Sequence, residues 1–233
     1  MDSLLSVRQV TKTYKRADLE VHVLRDISLE VAAGDYVSLM GPSGSGKTTL
    51  LNIIGGIDSP TSGRVLMEAT DIAGLDDADL AAWRTANVGF VFQQYNLLPV
   101  LTAVENVELP LLLFDMAKDE RRRRALDALA IVGLGDRADH YPRQMSGGEE
   151  QRTAVARALV TDPKLLIADE PTGNLDAVAA VNVLDLLQTL NEEFRKTIVM
   201  VTHDPGAAKR AKRIVHLNKG VLVETPARDG RLQ

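Results

Sequence analysis

The stretch "GPSGSGKT" at residues 41–48 has the makings of a device for holding phosphate. Glycines at 41, 44 and 46 let the backbone turn tightly enough to aim N–H groups at phosphate oxygens. Ser43 and Ser45 add hydroxyls, and Lys47 adds a compact positive charge. Thr48, followed by Thr49, can offer a hydroxyl to a hard cation such as Mg2+. A second stretch, "MSGGEEQR" at 145–152, has the same character. Ser146, Gly147 and Gly148 stand where a helical pattern begins, so they would expose unpaired N–H groups to an anion. The plainer reading of Ser146 and Glu149 is a capping box, and both readings can hold at once. Two carboxylates, Glu149 and Glu150, follow the second element.

A third group of residues could do chemistry on a bound phosphate. "KLLIADEP" at 164–171 is an apolar run ending in two acids. Asp169 at a strand's end is placed to hold Mg2+ through water, and Glu170 could orient or deprotonate an attacking water. Gln93 follows the apolar run "VGFVF", and His203 follows "TIVMVT". Both would then stand at strand C-terminal ends, where parallel sheets bind ligands. Tyr14 could stack on a base, although an exposed strand tyrosine is the commoner case.

These residues need elements to position them. Alternation in "LLSVRQVTKTY" and "VHVLRDISLEV" predicts two strands joined by a polar stretch. "DYVSLM" predicts a short buried strand running into the glycine-rich loop, and "KTTLLNIIGGI" a helix ending at Gly55-Gly56. "GRVLMEATDI" predicts another strand, "DDADLAAWRTA" a helix and "VGFVFQQ" a strand. From about Tyr95 to Thr161 helical spacing takes over, in "AVENVELPLLLF", "DERRRRALDALAIVGL" and "GGEEQRTAVARALV". Strands resume with "KLLIAD", "TIVMVTHD" and a hairpin across Asn218–Gly220. Strands alternating with helices imply an α/β domain with a mostly parallel sheet and an inserted helical block.

Composition removes several classes of function. The 233 residues contain no cysteine, which excludes disulfides, thiolate metal sites and cysteine nucleophiles. A net charge of −5 argues against non-specific nucleic-acid binding. The run Arg121–Arg124 invites a nucleic-acid or lipid reading, but Asp119 and Glu120 just before it favour a solvated helix face. No leader is evident at the N-terminus, and no apolar run approaches the ~20 residues of a membrane span. The expectation is a soluble protein attached to membranes only through a partner.

Together these motifs resemble one family, the ATP-binding cassette ATPases, and the resemblance covers nearly the whole chain. "GPSGSGKT" resembles its Walker A loop, "MSGGEEQR" its signature motif, "LLIADEP" its Walker B and "GNLDA" at 173–177 its D-loop. Gln93 resembles the Q-loop glutamine, His203 the switch histidine and Tyr14 the adenine-stacking aromatic. The finer wording is similar to the branch serving lipoprotein release, macrolide export and cell division. The resemblance implies a phosphate-loop core at 1–94 and 162–233, with an N-terminal antiparallel β subdomain, and a helical subdomain at 95–161. It implies ATP and Mg2+ as ligands, with Thr48, Gln93 and Asp169 toward the metal. Glu170 would orient water, Lys47 would stabilise charge and His203 would sense the γ-phosphate.

The resemblance also implies that two copies pair head to tail, the signature loop of one covering the ATP of the other, with Asp176 touching the opposite subunit. Their partner would be a separate integral membrane permease at the cytoplasmic face of the cell membrane, with no role for nucleic acid. The permease's expected seat lies between the Gln93 strand and 101–114, where the apolar residues could equally be core. Glu149-Glu150 departs from the family, which often has amides or a mixed pair there. Two charges near a triphosphate would weaken closure unless they point away or pair with Arg152 or a neighbour. Met145 replaces the common leucine with little change of volume. Rival readings are a soluble cassette acting on DNA or ribosomes, a mechanical signalling ATPase and a phosphotransferase.

Overall fold

The computed structural model describes residues 3–16 and 19–224. Strands β1 (Ser3–Arg16) and β2 (Leu19–Ala32) pair antiparallel along nearly their whole length. Strand β3 (Tyr36–Met40) is buried, as its unbroken apolar run requires, and α1 (Lys47–Ile54) follows the glycine-rich loop and stops at Gly55. Next come β4 (Ser62–Met67), β5 (Thr70–Asp71), α2 (Asp77–Asn87) and β6 (Val88–Phe92). Helices α3 (Ala103–Glu108), α4 (Lys118–Ile131) and α5 (Gly147–Leu159) fill the middle of the chain. The rest is β7 (Leu165–Asp169), α6 (Ala177–Glu192), β8 (Thr197–Thr202), α7 (Pro205–Ala208), β9 (Arg213–Asn218) and β10 (Val221–Glu224).

Two segments depart from the sequence expectation. The strand expected over "GRVLMEATDI" is a hairpin of β4 and β5, because Glu68 turns the chain at φ 52°. The helix expected over "AVENVELPLLLF" gives way to a 3-10 turn at Leu109–Leu113. Pro110 explains this break: it has no N–H to donate, and its ring would collide with the carbonyl four residues back. The hairpin at β9 and β10 matches expectation. Lys219 and Gly220, at φ 48° and 77°, supply the two positive angles that a tight two-residue hairpin turn favours.

The chain forms two compact units, Met1–Asp76 with Val199–Gln233, and Asp77–Ile198, and passes from the second to the first within β8. The first contains an antiparallel sheet of order β2-β1-β4-β5. Leu5, Val7, Val10, Leu24, Ile27, Val31 and Val65 of that sheet are buried. The same unit holds the strand series β10-β9-β3-β8, in which β3 and β9 run parallel. The second unit holds the parallel pair β6 and β7 together with α2 to α6. Residues 95–161 lie wholly within this unit, and their regular elements are helices and 3-10 turns.

Helix α5 lies directly on β6. A Cβ on Gly89 would stand 2.1 Å from the Ala158 carbonyl oxygen and 2.8 Å from Leu166 Cδ2. Only a residue without a side chain admits this approach.

The start of α5 is fixed by the expected capping box. The Ser146 hydroxyl accepts from the Glu149 N–H at 3.3 Å, and the Ser146 N–H donates to Glu149 Oε2 at 2.8 Å. The other carboxylate oxygen, Oε1, accepts from Arg137 Nε at 3.1 Å. The backbone bond from Ser146 holds the Glu149 carboxyl below its ordinary value of 4.5, with Arg137 helping and burial opposing. A depressed acid stabilises the fold at high pH and loses that contribution as pH falls through the folded-state value.

Two stability predictions follow from this packing and capping. Gly89→Ala should lower stability by about 3 kcal/mol or more, since neither a carbonyl nor a packed leucine can yield cheaply; urea unfolding measures it. Glu149→Gln keeps the cap but loses the ion pair, so it should cost up to about 1 kcal/mol at pH 7. That deficit should begin to shrink as pH falls below 4.5 and be lost below the depressed folded-state value, where wild-type Glu149 is neutral too. A deficit unchanged down to pH 3 would show that the charge does not carry the effect.

Candidate functional site

In the first unit, the loop after β3 is held open by its glycines for separate reasons. A Cβ on Gly41 would fall 2.1 Å from the Leu217 carbonyl oxygen. Gly46 has φ 102° and caps α1, and its Cβ would press on Leu24 and Val23. Lys47 is buried, and its Nζ donates to the carbonyls of Gly41 (2.8 Å) and Pro42 (3.0 Å). The ammonium is thus bound to the loop's own backbone, with its charge held in place beside the start of α1. No acidic residue lies in the first turn of α1, so nothing there offsets the positive end of the helix. Ser45 is buried with no partner for its hydroxyl oxygen, while Ser43, Gly44 and Thr48 are exposed and Thr49 is half-buried.

Tyr14 is exposed on β1, and its hydroxyl donates to Asp58 Oδ2 at 2.6 Å. Lys12 donates to Asp58 Oδ1 at 2.6 Å and sits 4.7 Å over the Tyr14 ring. One carboxylate therefore fixes both the ring and the cation over it. Burial pushes the Asp58 carboxyl up, but the hydrogen bonds from Lys12, Tyr14 and Ser59 outweigh this and hold it below its usual value. His203 is exposed at the end of β8, directly before Asp204, which caps α7.

In the second unit, β7 is buried through Ala168, and its last residue, Asp169, is half-buried. Glu170, next in the chain, has φ 48°, a left-handed conformation that costs a residue with a side chain of order 1 kcal/mol or more. Strain of this kind clusters at functional positions. The Glu170 carbonyl accepts from Gly173 N–H at 3.0 Å, closing a tight turn just after the two acids. Gln93 is exposed one residue past β6 and exchanges hydrogen bonds with Asn174.

Ser146 and Gly148 open onto a cavity of about 190 Å³ that also reaches Arg152, Asp176 and Asn182. Asp176 caps α6 by accepting from Ala179 N–H at 2.8 Å, so two helix starts face the same space. The signature glycines have packing reasons of their own. A Cβ on Gly147 would stand 2.9 Å from Tyr95 Oη, and one on Gly148 2.9 Å from Ala179 Cβ. Glu149 is turned to Arg137 and not to Arg152, whose Nε is buried without a partner. Burial pushes the Glu150 carboxyl up, the opposite of Glu149.

Sequence reasoning missed the side chains that hold these loops. Gln151 is fully buried, and its Nε2 donates to the carbonyls of Phe92 (3.2 Å) and Pro171 (2.7 Å). One amide on α5 thus ties the residue before Gln93 to the residue after Glu170. Arg157 donates to the carbonyls of Tyr95 and Asn96, at 2.8 and 2.6 Å. Asn106, also fully buried, accepts from Leu98 N–H and donates to the carbonyls of Leu98, Leu101 and Thr102. A polar residue amid the apolar spacing of α3 was the available signal for Asn106.

The apolar residues of 98–113 fall into core and exposed groups, with Leu101 and Leu109 half-buried between them. Ala103, Val104, Val107 and Leu111 are core, whereas Leu98, Val100, Leu112 and Leu113 are exposed, Val100 by 77% and Leu113 by 73%. In the arginine run, Arg123 and Arg124 are exposed and both bind Glu120, whereas Arg121 and Arg122 are half-buried, Arg121 donating to the Met116 carbonyl and Arg122 binding Glu108 and Asp139. Among the described residues, no helix is long and apolar enough to cross a membrane.

Comparison with known proteins gives concordant results. The family described as ABC transporter matches residues 24–173, well over half of the chain. An uncharacterised ABC transporter ATP-binding protein of Methanocaldococcus jannaschii, MJ0796, is 48% identical over 93% of this chain and 94% of its own. YvrO of Bacillus subtilis, of the same description, is 49% identical over 94% and 96%. The macrolide export ATP-binding/permease protein MacB of Syntrophobacter fumaroxidans is also 49% identical, but this chain spans only 31% of its length. A dimeric structure of MJ0796 in a post-hydrolysis state with ADP and phosphate superposes with a TM-score of 0.86, covering 94% of this chain. The chain belongs to the ABC transporter family, as one of its ATP-binding cassettes.

Proposed function

We propose that two copies of this cassette close head to tail around two ATP molecules, hydrolyse them and drive a separate membrane permease. The observation that carries this reading is a second anion-ready helix start, Gly147 and Gly148 of α5 behind the Ser146 cap, in a chain whose Gly41–Thr48 loop already provides for one triphosphate. A second loop has work to do if it covers the nucleotide of the other copy. The relative MJ0796, solved as a dimer with ADP and phosphate, supports the same arrangement. ATP then joins the two copies, and charge-assisted hydrogen bonds across the joint weaken once the γ-phosphate leaves.

Each residue has a role in this reading. Tyr14 stacks on the adenine. The N–H groups of Gly41, Ser43, Gly44 and Gly46, with the Ser45 hydroxyl, Lys47 and Thr49, hold the phosphates, and Asp176 meets the opposite copy. Glu170 orients the attacking water and His203 senses the γ-phosphate. Thr48, Asp169 and Gln93 offer a hydroxyl, a carboxylate and an amide, an all-oxygen set suited to Mg2+, which would neutralise charge on the phosphates. The exposed Leu98, Val100, Leu112 and Leu113 form the seat for the permease, placing the cassette at the cytoplasmic face of the cell membrane. Export or lipoprotein release fits the branch that the wording of the chain resembles.

Glu170→Gln tests the hydrolytic part. The amide fills the same volume but cannot take a proton, so turnover should fall by about a hundredfold or more while ATP binding persists. The variant should accumulate as an ATP-bound dimer by size-exclusion chromatography. Wild-type turnover by that variant would remove Glu170 from the mechanism.

A further inference from the structure

We infer that Asn174 is a positioning residue that sets which end of the Gln93 amide is offered to the reaction centre. The inference rests on the cation role proposed above for Gln93. Asn174 Nδ2 donates to the backbone carbonyl of Gln93 at 3.1 Å. A backbone carbonyl can only accept, so this contact fixes the orientation of the Asn174 amide. Asn174 Oδ1 must then be the atom that faces the Gln93 side chain. An oxygen can only accept, so the atom that meets it at 3.1 Å is Gln93 Nε2. By elimination, Gln93 Oε1 is the end directed away from Asn174, and oxygen is the end that a hard cation or a water proton requires.

Two further contacts keep this arrangement in register. The Gln93 side chain lies against Gly173, where a Cβ would come within 2.7 Å of Nε2 and 3.0 Å of Cδ. The Tyr95 hydroxyl donates to the Asn174 carbonyl at 3.4 Å, holding the loop that carries Asn174. The whole device lies within one unit, among residues 93–95 and 173–174. Asn174 stands two residues before Asp176, so displacement of this loop by an opposing subunit would act directly on the Gln93 amide.

The test is a double-mutant cycle read in two ways. Asn174→Leu keeps the branched skeleton of the side chain and removes both hydrogen bonds, while Gly173→Ala keeps Asn174 but displaces Gln93. In protein without metal or nucleotide, the urea midpoints of Asn174→Leu, Gln93→Ala and their double variant should be non-additive. With ATP, each of Asn174→Leu and Gly173→Ala should raise the Mg2+ concentration for half-maximal turnover about fivefold, the factor one lost hydrogen bond supplies. Neither should do so in the Gln93→Ala background, and ATP affinity in EDTA should not change. Additive midpoints, or an equal Mg2+ shift with and without Gln93, would overturn the inference. So would an unchanged Mg2+ requirement in both variants when Gln93→Ala itself shifts it. If Gln93→Ala leaves the Mg2+ requirement untouched, the cation role of Gln93 is what fails, and the orienting role of Asn174 fails with it.

Discussion

Backbone can bind phosphate only where N–H groups are left unpaired, and in a folded chain that means chiefly the first turn of a helix. Everything of interest in this protein is arranged around two such turns. At α1 the helix start is cleared of side chains by Gly44 and Gly46, carries no acid, and has the Lys47 ammonium tied down by the carbonyls of Gly41 and Pro42. At α5 the start carries two acids, and the charge has to be managed. Arg137 and the capping box occupy Glu149, so its carboxylate is engaged within its own helix start. Glu150 is managed differently, by burial that raises its carboxyl. The two turns are therefore unlike in strength, α1 being the more strongly attracting.

Loops that carry reactive groups are mobile unless something buried holds them, and in the second unit that work falls to three polar side chains. Gln151, Arg157 and Asn106 all donate to backbone carbonyls of segments without regular structure. Outside helices and strands no regular ladder supplies a carbonyl's partners, and a side-chain donor adds to the few that local turns provide. Each side chain thus stabilises the fold and at the same time sets a loop's position. Gln151 does most, because it joins the strand end before Gln93 to the turn after Glu170 through a single amide on the helix that Ser146 caps.

Local signals made much of this legible in the sequence. The buried run before Gly41, the helix between Lys47 and Gly55, and the strand ends at Phe92, Asp169 and Thr202 follow from period and from glycine placement. What could not be read depends on partners distant in the chain or on unexpected backbone angles. Nothing in "RVLMEATD" marks Glu68 for a left-handed turn, so one strand was expected where two pair. The Asn174 contact joins residues 81 apart, and the pairing of Glu149 with Arg137 depends on a 3-10 turn that carries no strong pattern. Pro110 was a legible breaker, outweighed by the apolar spacing around it.

The central claim is that the loops at Gly41–Thr48 and Ser146–Gly148 serve different nucleotides, one in each copy. Occlusion of nucleotide by mixed dimers tests it most directly. One chain carries Lys47→Ala, which removes the ammonium from the first loop. The other carries Ser146→Asp, which keeps a good helix cap and so the fold, but places a negative charge where a phosphate would approach. With a slowly hydrolysed ATP analogue, neither parent homodimer should occlude nucleotide. The mixed dimer contains one site with both loops intact and should retain one nucleotide. Mixed dimers that are folded and paired yet retain none would show that both loops act on the same nucleotide within one chain.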